Sequence, residues 1–382
     1  MKDIRFGIIG CGLMGREFAS AAARWCHLVD PAARPVLTAV CDYVPAATAW
    51  FTANFPTVRQ ATSDYQALLA NPDVDAVYVA VPHNLHAEVY CAVIEAGKHL
   101  MGEKPFGIDK AANEKINAAI AKHPGVFVRC VSQFPFFPAV QRIGRMLDDQ
   151  AFGRIIEVNS GFLHSSDLDA DKPINWKRKV EINGAYGAMG DLGMHACHVP
   201  LRAGFRPRKT SAVLSNIVTQ RWADKSRTRK VPCETWDNAT ILIEAQAGQG
   251  GYTFPWMLRT YRIAPGQTNT WYIEIFGDKC SARWNSCNPK ILELLEYQSG
   301  GGAGGASGGD QTWRQIQTGY EATYPTITGG IFEFGFTDAI LQMWAAYVSE
   351  LVGQPKPGLM STCVKPEEVA VSHDIFTAAL QG

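Results

Sequence analysis

Three short stretches of this 382-residue chain carry side chains whose types and spacing could do chemistry. Gly10-Cys11-Gly12-Leu13-Met14-Gly15 is a G-x-G-x-x-G run. Where a strand turns into a helix, such a run cradles a pyrophosphate. The first glycine permits the tight turn, the second a close backbone approach, and the third close packing of helix on strand. The helix N-terminus adds N–H groups and a partial positive charge. Glu103-Lys104-Pro105 follows a short apolar stretch, and a residue before proline is biased away from helix and held extended. Asp191 and His195 stand four residues apart in a predicted helix, on one face. Histidine titrates near neutral pH, and a buried lysine can be tuned there, so both residue types suit proton transfer. Each stretch also has a plainer reading: a glycine turn without ligand, a lysine in a surface turn, an Asp/His capping or core pair. His195-Ala196-Cys197-His198 does not suggest a metal, because three donors so close on one helix cannot all face one ion.

The surrounding sequence supplies the scaffold. Residues 3–9 (DIRFGII) form a nearly all-apolar strand of the kind buried on both faces in a parallel sheet. The glycine run follows and opens an alanine-rich helix over about residues 16–25. Residues 36–41 (VLTAVC) are the next strand and end at Asp42. A carboxylate there can accept hydrogen bonds from the adenosine ribose and would repel the extra phosphate of NADP, which predicts NAD. Asp42 lies farther from the glycines than the usual ~20 residues, because LVDPAARP is inserted before the strand. Further helices (45–55, 86–96) and strands (74–81, 126–132) continue the alternation, with Gly97 as a helix stop. Ser63 to Gln66 reads as a capping box before a short helix. Alternating strands and helices indicate a doubly wound parallel sheet.

After about residue 130 the texture changes. β-rich stretches at 154–165, 209–220, 238–246, 250–262 and 270–277 follow one another with few helices between them. They predict a C-terminal α+β domain with a large, mostly antiparallel open sheet. The helix carrying Asp191 and His195 lies near residues 189–204, two late helices near 336–352 and 366–380, and residues 300–309 (GGGAGGASGG) read as a flexible loop tip. The expected fold is thus α/β: a Rossmann domain over residues 1–130, then a substrate-binding and oligomerisation domain over 131–382. The length alone favours two domains. With 47% apolar residues, 19% charged residues and no net charge, the chain can bury a core and lacks the basic surface that nucleic acid requires. No stretch has the ~20 apolar residues of a membrane span. Ten scattered cysteines without a C-x-x-C pair read as reduced, mostly buried thiols. Together with a start that enters a strand at once, this predicts a cytoplasmic protein.

Several of these segments recur together in one family. GCGLMG (10–15), VPHNLHAE (81–88), GEKP (102–105), Trp176-Lys177, GDLGMH (190–195), WDNATI (236–241) and IFGDK (275–279) make nearly the whole chain resemble the Gfo/Idh/MocA oxidoreductases. The resemblance implies NAD as cofactor, a sugar or polyol as substrate, no metal, and a dimer or tetramer. It implies that Lys104 points at the substrate hydroxyl and that Asp191 and His195 complete the site. Hydride leaves a carbinol carbon only as its hydroxyl proton is removed. The favoured assignment is His195 as base, Lys104 polarising the hydroxyl and Asp191 orienting substrate or histidine; the reverse for Lys104 and His195 stays open. On the cofactor side the resemblance implicates Pro82, Asn84, His86 and Glu103, with Trp176 and Lys177 reaching over the nicotinamide. A packing role is the alternative for Trp176. His164, Arg178 and Tyr186 are further candidates for substrate contact, and Trp256 and Tyr261 for stacking.

Many members carry an arginine where this chain has Pro135, so substrate contacts there are expected to differ. Lys172, Lys177, Arg178 and Lys179 around Trp176, with Arg259 and Arg262, would suit an anionic sugar or form a solvated basic loop. The same motifs serve a dehydrogenase, an NAD-dependent glycosidase that oxidises its sugar transiently, and a non-catalytic NAD or sugar sensor. Intact Lys104, Asp191 and His195 favour the dehydrogenase.

Overall fold

Short apolar strands can be buried on both faces only if helices cover them, and that constraint builds the first layer. Strands β1 (Lys2–Ile9), β2 (Ala33–Cys41), β3 (Gln60–Thr62), β4 (Ala76–Val79), β5 (His99–Gly102) and β6 (Val128–Cys130) pair in parallel in the order β3-β2-β1-β4-β5-β6. Helices α1 (Leu13–Ala23), α2 (Pro45–Asn54), α3 (Tyr65–Leu69), α4 (His86–Glu95) and α5 (Lys110–Lys122) connect them. This is the Rossmann order, and its topological switch point lies between β1 and β4, where a crevice opens at the strand C-termini. The computed structural model describes residues 1–248, 251–297, 311–319 and 322–382; the glycine-rich stretch 300–309 lies outside them. One local expectation is corrected. The cap of α3 is Asp64, whose carboxylate accepts the Gln66 N–H at 2.9 Å, and Ser63 stands one residue too early.

The second layer starts with α6 (Pro138–Asp148) and β7 (Ile155–Leu163), then α7 (Val180–Asn183) and α8 (Met194–Arg202). The strands that follow are β8 (Arg206–Ser215), β9 (Gln220–Trp222), β10 (Lys230–Pro232), β11 (Asn238–Gln246), β12 (Thr253–Tyr261), β13 (Thr270–Gly277), β14 (Cys280–Asn285), β15 (Ile291–Glu296) and β16 (Arg314–Gln317). Among the described residues, eight of these strands form one sheet in the order β16-β15-β14-β13-β7-β12-β11-β8. Every pairing in it is antiparallel except β7 with β12. Period-2 alternation sends Ile241, Ile243, Trp256, Leu258, Ile273 and Ile275 to one face, where residues of α6, α8 and the C-terminal helix cover them. The opposite face leaves Ile156, Val213 and Leu242 about half exposed or more.

Two features position the site. The expected helix near 189–204 is a single π-helical turn, Met189–Gly193, running directly into α8; such turns often occur at functional sites. The last helices, α9 (Phe336–Leu351) and α10 (Pro366–Gln381), fold back across the molecule. Trp344 of α9 stacks on Phe18 of α1 at 3.7 Å and meets Phe6 and Tyr78 edge-on, so the C-terminal segment completes the core under β1. Trp344→Ala should therefore destabilise the whole protein by about 3–5 kcal/mol, read as a lowered urea midpoint, because truncating a buried Trp leaves a cavity.

Candidate active site

The glycine loop has the geometry its spacing anticipates. Gly10 has φ +100°, and a Cβ there would lie 2.3 Å from the Ala80 carbonyl oxygen. A Cβ on Gly15 would lie 2.4 Å from the Gly10 carbonyl oxygen, so both positions need glycine for packing. Gly12 is different: nothing stands within 4 Å of its would-be Cβ, and it lines the main cleft with Leu13 and Met14 at the start of α1. The first-turn N–H groups of a helix lack intrahelical acceptors, so this open cradle fits a pyrophosphate. Asp42 braces the loop from the end of β2. One carboxylate oxygen accepts the Cys11 N–H at 2.8 Å and the other the Val44 N–H at 2.9 Å. Buried Cys11 packs behind the loop, its Sγ 3.6 Å from the Cys41 carbonyl. Pro82, His83 and Glu103 continue the cleft wall from the ends of β4 and β5. Glu103 is buried, which raises its pKa, while the Tyr78 hydroxyl donates to it at 2.6 Å.

The cleft, about 680 Å³, runs from this loop to a charged cluster between the two layers. Lys104 follows β5 and is joined to Pro105 by a cis peptide bond. Its amine donates to the Asp191 carbonyl oxygen at 2.7 Å and to Asp191 Oδ1 at 2.8 Å. Asp191 Oδ2 accepts a hydrogen bond from Lys177 Nζ at 3.1 Å and forms an ion pair with the guanidinium of Arg262. The π turn thus presents both the backbone and the side chain of Asp191 to Lys104. Burial, with a contribution from Arg262, pushes the Lys104 ammonium down to about 8 despite the opposing pull of Glu103. Burial, with nearby Lys104, holds the His195 imidazolium well below its usual range, so the ring is neutral. Its Nδ1 lies 3.2 Å from Ser132 Oγ, and Trp271 Nε1 donates to its carbonyl at 2.9 Å. Burial and Arg262 bring His164, across the cleft, down to about 4.

The structure brings Gly12, Leu13, Met14, Pro82, Glu103, Lys104, His164, Trp176, Lys177, Asp191 and His195 to one cleft. Other expectations are corrected. Asn84 is exposed and does not line the cleft. His86 commits both ring nitrogens to backbone, at Val81 O and Gly107 N. Tyr186 is buried away from the cleft, its hydroxyl 2.7 Å from Thr377 Oγ1, which ties the site's support to α10. Arg178 is fully buried on Asp237 at 2.7 Å, because a desolvated guanidinium needs a carboxylate. Asp191 does not orient His195; its partners are the three cations, and Ser132 faces the imidazole. Nor is the basic segment a solvated loop. Lys172 pairs with Asp167 at 3.1 Å, and Arg259 donates to the Tyr272 hydroxyl at 2.6 Å. Trp256 is core, and Tyr261 lies outside the cleft, its hydroxyl 2.6 Å from Thr240 Oγ1.

Sequence reasoning missed His83, Gln133, Phe162, Asn269 and Phe336 in the lining and did not assign Arg262 to Asp191. Only His83, inside VPHNLHAE, had a local signal. Trp176 meets His83 edge-on at 5.0 Å, and Lys177 lies over the Trp176 ring. Pro135 is buried, and the adjacent Phe134 stacks on Trp271 and meets Phe162 and His195, so an aromatic wall stands beside it.

Family models match both layers. Residues 4–130 match an oxidoreductase family NAD-binding Rossmann fold, and residues 140–283 match the GFO/IDH/MocA C-terminal domain. Levoglucosan dehydrogenase of Pseudarthrobacter phenanthrenivorans is 27% identical over 297 residues, 75% of this chain and 74% of that protein. A dTDP-3,4-didehydro-2,6-dideoxy-alpha-D-glucose 3-reductase of Actinomadura kijaniata is 30% identical over 205 residues, 53% of this chain and 55% of its own length. A solved structure of levoglucosan dehydrogenase with NADH and levoglucosan shares the fold, with a TM-score of 0.83 over 100% of this chain and 97% of that one at 22% identity.

The glycine loop separates packing from binding. Gly12→Ala should fold with stability within about 0.5 kcal/mol of the parent, since its Cβ meets nothing in the protein. Its NADH affinity, measured by fluorescence titration, should fall at least about tenfold, because the methyl group enters the space a pyrophosphate needs.

Proposed function

The chain belongs to the Gfo/Idh/MocA family of oxidoreductases, and we propose that it is an NAD-dependent dehydrogenase of a neutral sugar or polyol with Lys104 as its base. The observation that carries this reading is the arrangement of the Lys104 amine. Two of its three nitrogen positions are committed to Asp191, and the third is left to a molecule in the cleft. In the neutral amine that third position is a lone pair, able to take a hydroxyl proton. A base works best with a pKa near the operating pH, which suits Lys104, at about 8, better than His195, which burial disfavours as a proton sink. This reverses the roles favoured from sequence. His195, held at Nδ1 beside Ser132, is left with Nε2 to hydrogen-bond and orient the hydroxyl. Bound NAD supplies the hydride acceptor, and the cleft's continuity from Gly12 to Lys104 supports one shared space for both ends of the chemistry.

Pairing of the charges speaks to the substrate. Lys104, Lys177 and Arg262 already turn onto Asp191, and Lys172 and Arg262 onto Asp167, so each of these cations has a carboxylate before any anionic sugar arrives. Phe162, Trp176 and Phe336 give the cleft apolar walls suited to a sugar's C–H face. The levoglucosan dehydrogenase relative, named for a neutral sugar, supports the same class. Asp42 at the end of β2 supports NAD over NADP, since a 2′-phosphate would face a carboxylate. The half-exposed apolar residues on the outer face of the large sheet support a homo-oligomer built on that face. Ten free thiols, most of them buried, support a reducing, cytoplasmic setting.

In a panel of neutral sugars, polyols, uronates and aryl glycosides, NADH should accumulate steadily with a neutral sugar, and its uronate should react at least about tenfold more slowly. Aglycone release without NADH would indicate a glycosidase instead, and bound NAD without turnover a sensor. For the oxidation, kcat/KM should rise about tenfold per pH unit below the Lys104 pKa of about 8 and level off above it, as the amine deprotonates. Lys104→Met should lower kcat by about 10²–10⁴-fold at every pH, with NADH binding retained.

A further inference from the structure

We infer that Arg262 is a positioning residue of this site: anchored against Asp167, it clamps Asp191 in the orientation that aims the Lys104 amine into the cleft. The inference rests on the reading of Lys104 as base given above.

Arg262 leaves the end of β12 with its main chain fixed. Its N–H donates to the Asp237 carbonyl at 3.0 Å and to Asn238 Oδ1 at 3.1 Å, and its carbonyl accepts the Asp167 N–H at 3.2 Å. The guanidinium is almost wholly buried. It is paired with Asp191 Oδ2 and lies 3.9 Å from Asp167 Oδ2. Asp167, fully buried, is held in turn by Lys172 at 3.1 Å. Arg262 therefore bridges a carboxylate of the loop after β7 and one of the π turn, and the second of these carries Lys104.

The identity of the side chain matters to this role. A base must pass between amine and ammonium, so the charge Lys104 offers Asp191 changes as it works. Lys177, the other amine on Asp191, is held well below its ordinary range by burial and by Arg262, so its charge is not secure either. A guanidinium keeps its proton. Burial brings Arg262 down to about 10, still above the range in which Lys104 titrates. Arg262 is thus the cation on Asp191 that stays charged when Lys104 is neutral, and it keeps a buried carboxylate compensated at that moment.

The groups facing Lys104 set the sign of any change. Glu103 and Asp191 favour its ammonium form, and Cys130 on β6, its thiol kept protonated by burial, adds no charge. Arg262 opposes it directly, and Lys177, on the far side of Asp191, is itself held well below its ordinary range by burial. His83, His164 and His195 around the cleft are held neutral by burial and add no charge. Removing Arg262 deletes a repelling charge and frees Asp191 to attract the ammonium more strongly. Both effects raise the proton affinity of Lys104.

The test uses the full-length protein with NAD bound and follows the pH dependence of Lys104 acylation by acetic anhydride, read by peptide mass spectrometry. In Arg262→Met the midpoint should move up by about one pH unit. Sugar oxidation at pH 7 should fall about tenfold and recover toward the parent rate at high pH. Arg262→Gln, which keeps a donor for Asp191 without the charge, should show the same shift and serves where the methionine variant does not fold. Arg262→Lys, whose ammonium is disfavoured by the same burial, should shift the midpoint by less than the neutral variants do. An unmoved midpoint in the neutral variants, with activity lost at every pH, would overturn the inference, as would a lysine variant shifted as far as they are. The labelling reports on Lys104 without sugar turnover, so a protein that oxidises no sugar would count against the proposed function and leave this test intact.

Discussion

A carboxylate taken out of water must be compensated by charge and hydrogen bonds, and Asp191, 2% exposed, imposes that demand on the centre of this molecule. Three cations answer it. Lys104 comes from the end of β5 in the parallel sheet, Lys177 from the segment before α7, and Arg262 from the end of β12 in the antiparallel sheet. Elements far apart in sequence therefore have to meet at one oxygen pair. The π turn serves that meeting by letting Asp191 present its carbonyl as well as its side chain to Lys104. The layers need supports behind this point: Tyr186 reaches α10, and α9 fills the core beneath β1.

The same burial that makes the cluster necessary gives it reactivity. Low polarity disfavours charge on every ionisable group in the cleft. It keeps the histidines neutral, raises Glu103 and lowers Lys104 toward the range where a base is useful. The cleft's cations are already paired with a buried carboxylate, so recognition falls to hydrogen bonds at the charged end and to aromatic surface along the walls.

Local grammar made much of this legible. Strand, glycine run and helix are contiguous, so the cofactor cradle could be read from neighbouring residues, and Asp42 from its place at a strand end. Lys104, Asp191 and His195 were legible because GEKP and GDLGMH resemble the family's segments; the proline and the four-residue spacing alone also fit a surface turn and a core pair. What escaped depends on contacts across long sequence separations. Nothing near Arg262 announces that it will meet Asp191, and nothing near Phe336 announces a cleft. Tyr186 and Arg178 carry side chains suited to sugar recognition, yet tertiary packing gave them Thr377 and Asp237 as partners. His86 has the right type in the right segment, but backbone groups at Val81 and Gly107 claim both its nitrogens. Ser63 failed as a cap for a smaller reason: Asp64, one residue on, offers a carboxylate to the same helix end.

The central claim is that Asp191 aims the Lys104 amine at the reacting hydroxyl. A crystal structure of the protein with NADH and its neutral sugar tests this most directly. The account predicts the hydroxyl of the oxidised carbon within about 3.2 Å of Lys104 Nζ, with the amine still on Asp191 and that carbon facing the nicotinamide. A hydroxyl bound by His195 alone, with Lys104 turned away from the sugar, would contradict it.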